Sequence, residues 1–142
     1  MKNDFMLGYN LELLENQGAK IPLLVPINSH LIVVGGSGSG KSTAVLYWLY
    51  KIRNYGCKLY IVDFKASQEF EGITKKFAEF EDSYNLIKKF YDDFLATPEG
   101  GDGKIKILLI DEIAGLLTHY SMTKENKAKA DEIRNIMSSI LM

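Results

Sequence analysis

Eight consecutive residues, Gly35-Gly36-Ser37-Gly38-Ser39-Gly40-Lys41-Ser42, satisfy the pattern G-x-x-x-x-G-K-[ST] at every constrained position. Residues of these types at this spacing hold phosphate. The glycines let the backbone curl with its N–H groups turned inward, towards one anion. A helix beginning at the loop adds its unpaired N–H groups and the positive end of its dipole. Lys41 supplies a point charge for β- and γ-phosphates, and the Ser42 hydroxyl a ligand for Mg2+. With Thr43 next in line, Gly35 to Thr43 is the expected nucleotide-binding segment. The competing reading is a Gly/Ser-rich turn between a strand and a helix. The apolar run His30–Val34 before the loop and the helical stretch Lys41–Asn54 after it favour the phosphate reading.

A second constellation is Ile107-Leu108-Leu109-Ile110-Asp111-Glu112, four apolar residues ending in two carboxylates. A buried parallel strand opens at its carboxyl end into the ligand crevice, which delivers Asp111 there. Asp111 is expected to ligate Mg2+ or accept from its water, complementing Ser42. Glu112, one residue on, is placed to polarise the attacking water as general base, with Lys41 as its catalytic partner on the phosphates. A strand ending in two solvated acids is the bland alternative. A glutamate directly after the metal-associated aspartate is typical of ATP-driven motors. No guanine-reading N-K-x-D string and no L-S-G-G-Q string is present. The expected cofactors are therefore ATP and Mg2+.

Such residues need elements to carry them. Phe5–Leu14, with turn formers at Gly8 and Asn10, and Ile21–Ile27, punctuated by Pro22 and Pro26, read as a β-rich lead-in over residues 1–29. The prolines make the second piece an edge strand or an irregular connection. Leu31–Val34 has the pattern of a strand covered on both faces. Lys58–Asp63 and Ile105–Ile110 read as further strands, and a short helix fits Ile73–Phe80. A longer helix runs Ser83–Ala96 with Ser83 as N-cap and an apolar stripe of Leu86, Ile87, Phe90, Tyr91 and Phe94. Pro98-Glu99-Gly100-Gly101-Asp102-Gly103 is a loop. From Thr123 the chain is helical, with Ile133, Ile136, Met137 and Ile140 at helix spacing. Strand–helix alternation gives an α/β fold with a parallel sheet.

Composition bounds the rest. At 142 residues the chain is one domain at most, 46% hydrophobic and 25% charged. A net charge of −1 gives no global attraction to nucleic acid, so DNA contact needs a local patch or other segments. Only Arg53 and Arg134 are arginine, so bidentate recognition is scarce. The single cysteine, Cys57, excludes an internal disulfide and reads as a small core residue suited to a reducing, cytoplasmic compartment. The pairs Lys75-Lys76 and Lys88-Lys89 read as solvated faces. His30 is expected to fix the strand entry, and His119 falls on a loop without a role.

Taken together, Ser29–Gly35 running into the phosphate loop, Ile61-Val62-Asp63-Phe64-Lys65 and Ile107–Ala114 resemble the motor domain of FtsK/SpoIIIE-type DNA translocases, of the FtsK-HerA superfamily. The FtsK-like ATPases of conjugative elements are an equally close subgroup. Asp63-Phe64-Lys65 stands where that family has D-P-K, and Asp111-Glu112-Ile113-Ala114-Gly115-Leu116 where it has D-E-x-A-D-L. The resemblance runs from about Leu7 to the end. It implies a P-loop NTPase of the RecA-like, additional-strand catalytic-glutamate type, ring-forming and usually hexameric. Its implied partners are double-stranded DNA and copies of itself, with membrane association only through segments absent here. The family's sensor strand and arginine finger have no counterpart, Arg134 being a poor candidate. The expectation is a partial motor domain, lead-in 1–29 and nucleotide-binding core 30–142, truncated before its C-terminal strands and turning over ATP weakly. Lys65 is left between approaching nucleotide or a neighbouring subunit and being simply solvated. Alternatives are a secretion or packaging motor, a small-molecule kinase, or a non-catalytic nucleotide-binding module.

Overall fold

Pro22 and Pro26 stand at the two ends of a strand, β2 (Pro22–Pro26), paired antiparallel with β1 (Asp4–Tyr9) in a two-stranded sheet. Proline cannot donate to a ladder, and these end positions on an edge are where it is tolerated. The computed structural model describes residues 4–97 and 104–142, so the expected loop at 98–103 lies outside the described residues. The register pairs Phe5 with Val25 and Tyr9 with Pro22, with an irregularity between Met6 and Gly8. The lead-in is not purely β. Residues 11–17 form a helix, α1 (Leu11–Gln17), because Asn10 caps it, its Oδ1 accepting from Leu13 N at 3.1 Å. Gly18 ends it in the left-handed conformation. Phe5 is buried, alone among the described residues of β1, α1 and β2.

The chain divides into two units, Met1–Trp48 and Leu49–Met142, and the boundary falls inside α2 (Lys41–Ile52). Within the first unit, the Trp48 indole N–H donates to the Leu7 carbonyl at 2.8 Å, tying the helix to β1. Residues 31–34 correct the expected buried strand. They are neither helix nor strand, and Ile32 and Val34 are 91% and 86% exposed. Apolar composition does not make a strand without a ladder partner. β1 and β2 pair with each other, β3–β5 pair among themselves, and no described strand is left for this run. The helix after the loop stops at Ile52, and a 3-10 turn, Arg53–Tyr55, leads to Gly56 at φ +67°.

The second unit holds a parallel three-stranded sheet in the order β4-β3-β5, with β3 (Lys58–Asp63) in the centre. β4 (Phe77–Glu79) occupies the segment expected to be a short helix. Thr74 Oγ1 donates to the Leu59 carbonyl at 2.9 Å and delivers the chain into register with Ile61. β5 (Lys106–Asp111) lies on the other side of β3. α3 (Asp82–Ala96) begins one residue before the expected start, so Ser83 is not its cap; its side chain is buried and its Oγ has no partner. α4 (Ile113–Ser121) was not anticipated, and it places His119 on a helix rather than a loop. α5 (Lys124–Leu141) starts at Thr123, whose Oγ1 accepts from Asn126 N at 3.3 Å.

Tyr60 and Val62 of β3, Leu86, Ile87 and Phe90 of α3, Leu116 and Tyr120 of α4, and Ala130, Ile133 and Ile136 of α5 form one core. Each large aliphatic side chain buried there contributes about 1.5–3 kcal/mol. Tyr91, Met137 and Ile140 pack against this core partly buried, so the expected stripes of α3 and α5 are the faces they bury, except at Phe94, which is exposed. At the amino end of the sheet the Tyr60 hydroxyl donates to Asp93 Oδ2 at 2.8 Å, and Lys106 Nζ donates to the Asp93 carbonyl at 2.6 Å. These bonds fix α3 against β3 and β5. Cys57 is half-buried, not a core residue, with Sγ 3.6 Å from the Ile52 carbonyl.

Candidate functional site

The phosphate-loop motif lies wholly in the first unit. Gly38 and Gly40 hold φ +73° and +85°, conformations closed to most side chains. Gly35 packs so closely that an added Cβ would stand 2.6 Å from Ser39 Oγ. Ser39 N–H closes the turn on the Gly36 carbonyl at 3.3 Å. The Lys41 ammonium folds back into the loop and donates to the Gly35 and Gly36 carbonyls at 2.6 and 2.7 Å. The first backbone bond of the helix is Ala44 N–H to Gly40 O at 3.0 Å, leaving the N–H groups ahead of it in the state every helix start leaves them. Ser42 is half-buried and Thr43 exposed. A turn-only reading does not call for a lysine curled onto its own loop. The residues fit a polyphosphate.

In the second unit all three strands end in an acid, and register sets them side by side: Glu79 beside Asp63, and Asp63 beside Asp111. Asp63 is fully buried. Its Oδ2 accepts from Ser67 Oγ at 2.9 Å, while Oδ1 has no partner. Such an orphaned buried oxygen fits a cation or its water shell. Burial, then the charges of Asp63, Glu112 and Glu69, push the Asp111 carboxyl above its ordinary value, with Lys65 pulling the other way. Among the described residues no three ligating side chains gather tightly enough to hold a metal ion by themselves. Ser42 and Asp111, the expected Mg2+ pair, lie in different units.

Glu112 follows Asp111 and opens α4 with a left-handed backbone, φ +61°. Its Oε2 meets the Lys65 ammonium at 2.8 Å. Lys65 stays 61% exposed, so it is solvated as one of its two readings had it, and paired as well. The Phe64 ring lies 5.4 Å from the His119 ring and 6.2 Å from that of Phe80. His119 Nε2 in turn lies 2.6 Å from Glu81 Oε1. The four described non-glycine residues with positive φ are Ala66, Gln68, Phe80 and Glu112, and every one follows the carboxyl end of a parallel strand. Backbone strain concentrates where function holds it, and this edge is where α/β sheets bind ligands.

The other basic candidates are engaged locally. Lys88 pairs with Glu132 at 3.1 Å, and the Lys76 ammonium sits over the Tyr60 ring at 4.5 Å, so neither is purely solvated. Arg134 is bonded to Asp131 and Ser121 on its own side of the core. Sequence reasoning missed Asp63 as a buried carboxylate and Lys65 as the partner of Glu112. The Asp63-Phe64-Lys65 string was visible, but which strand lies beside it was not.

No protein-family model matches the chain, and no curated protein matches it. Among solved structures it is similar to the pCW3 conjugation coupling protein TcpA, monomer form with ATPgS, at 22% sequence identity and a TM-score of 0.75. The match covers 99% of this chain and 44% of that one, so the chain spans less than half the length of that protein. At this identity the likeness establishes the fold. It fits the partial FtsK-like motor domain that the three strings resemble. The α/β architecture with a parallel sheet is shared with that coupling protein.

Proposed function

We propose that this chain is the ATP-binding and ATP-hydrolysing part of an FtsK-like motor that translocates double-stranded DNA, in chromosome segregation or conjugative transfer. The observation that carries it is the Lys41 ammonium seated on the Gly35 and Gly36 carbonyls at the start of α2. An incoming phosphate offers that ammonium charged acceptors in place of two neutral carbonyls, adding direct Coulomb attraction to bonds that are already charge-assisted. The fold shared with a coupling protein solved with ATPgS supports the choice of ATP.

In this reading residues 35–43 wrap the phosphates, and Lys41 donates to the β- and γ-oxygens. On the loop, Ser42 would offer its hydroxyl to Mg2+, and on the strand tips Asp111 would offer its carboxylate; the ion would supply charge neutralisation on phosphate oxygens. Asp63, the buried register partner of Asp111, would accept from water around such an ion through its unpartnered Oδ1. Glu112 accepts a proton from the attacking water. Further parts of the proposal are a homo-oligomeric ring, usually hexameric in this class, and a cytoplasmic location. Membrane attachment would come through other segments; no described helix is long and apolar enough to cross a bilayer.

The test is titration with a fluorescent ATP analogue. Saturable, Mg2+-dependent binding that disappears in Lys41→Ala is expected. Equal binding by Lys41→Ala would defeat the proposal. For the DNA part, ATPase of the intact protein should rise with duplex DNA and lose that stimulation at high salt. A rate indifferent to DNA would point to a motor with another cargo, such as a secretion apparatus.

A further inference from the structure

We propose that Lys65 is a positioning residue for Glu112, aiming the carboxylate that takes the proton of the attacking water. The inference rests on the reading of Glu112 as general base and goes beyond it. Glu112 has a fixed backbone, held at φ +61° between the last residue of β5 and the first turn of α4. Its side chain has no such restraint. The carboxylate is 41% exposed, and it makes no capping bond to its own helix. An exposed glutamate of this kind samples several rotamers.

The Lys65 ammonium at 2.8 Å from Oε2 selects among them. Lys65 is well placed for this because its own anchor is the neighbouring strand tip. Asp63 and Asp111 are register partners, Lys65 follows the first by two residues and Glu112 follows the second by one. The pair therefore bridges adjacent strands at the edge where the strained residues collect. Only Oε2 is engaged by the lysine, which leaves Oε1 as acceptor for a water proton. Gly115 lies beside the pair: a Cβ there would make ordinary contacts, 3.6 Å from Glu112 Oε2 and 3.7 Å from the Phe64 ring. The aspartate that the family string has at that place would bring a second carboxylate beside the first. Between exposed partners such a pair adds little to stability, so its consequence is direction.

Two measurements test it on the intact protein. Zero-length carbodiimide crosslinking without nucleotide, mapped by peptide mass, should join Lys65 to Glu112, with the Lys88–Glu132 pair as internal control. A crosslink at the control pair alone overturns the proposal. In steady-state turnover, Lys65→Met should lower kcat about tenfold with KM for ATP unchanged, since misdirecting a reacting group costs rate rather than binding. Lys65→Arg, which keeps the charge and the reach, should stay within about threefold of the parent. In a Glu112→Gln background Lys65→Met should cost nothing more. An unchanged kcat in Lys65→Met, a change confined to KM, or an equal loss in the Glu112→Gln background overturns the proposal while the general base stands. Full activity in Glu112→Gln, or no ATP turnover by the unmodified protein, removes the general-base reading and this inference with it.

Discussion

The loop and the strand tips work through single atoms. Gly40 sits at φ +85° with open space around it, so Gly40→Ala meets no clash and suffers only from the backbone. A left-handed alanine costs about 1–2 kcal/mol. The expected result is ATP binding weakened about tenfold with folding retained, read by analogue titration and circular dichroism. A different pair governs pH response. Burial and the Asp93 hydrogen bond push the Tyr60 hydroxyl up to about 12 from an ordinary value of 10.0. The same bond from Tyr60, with Lys106 and Lys58 behind it, holds the Asp93 carboxyl below its usual range against the opposing effect of burial. For Tyr60 the folded value is the higher one. Its contribution is whole below pH 10 and is lost as pH rises towards 12. For Asp93 the folded value is the lower one, and its contribution is lost as pH falls through it. Urea unfolding across pH 8 to 12 should show this alkaline loss in the parent and a smaller one in Tyr60→Phe.

At the scale of elements, legibility followed the source of each signal. β3, β5, α3 and α5 were readable because a buried face writes itself into apolar spacing. β4 was not, since three residues carry no period and the pairing of Phe77 with Ile61 is tertiary. Residues 31–34 show the converse, a strand-like composition without a neighbour. α4 was hidden by Gly115 in its first turn, where glycine argues against a helix. The site divides the same way. The phosphate loop is local, so the sequence displays it whole, whereas the Lys65–Glu112 contact depends on strand order. Gly115 itself supports a test. Its φ is not positive, and an added Cβ makes only ordinary contacts. Gly115→Ala should therefore stabilise by about 0.5–1 kcal/mol in urea titration, as alanine does over glycine inside helices.

Over the whole molecule, a chain of net charge −1 that exposes Leu31, Ile32, Val33 and Val34 in a row has its most apolar free segment directly before its phosphate loop. Because that segment is unpaired, Ile32→Lys or Val34→Lys should alter unfolding free energy by less than about 0.5 kcal/mol, the usual limit for surface changes. A loss of several kcal/mol would mean that the run is covered after all. The fold is shared with a coupling protein more than twice as long. At a net charge of −1, any contact with DNA would have to come from local patches rather than from the total.

The left-handed residues at the strand tips set a limit on improvement. Phe80 at φ +44° and Gln68 at φ +65° would each relax if replaced by glycine, by about 1 kcal/mol. A laboratory selection for heat tolerance alone should gather glycine and asparagine at positions 66, 68, 80 and 112, and the survivors, though sturdier, should turn over ATP more slowly than their ancestor.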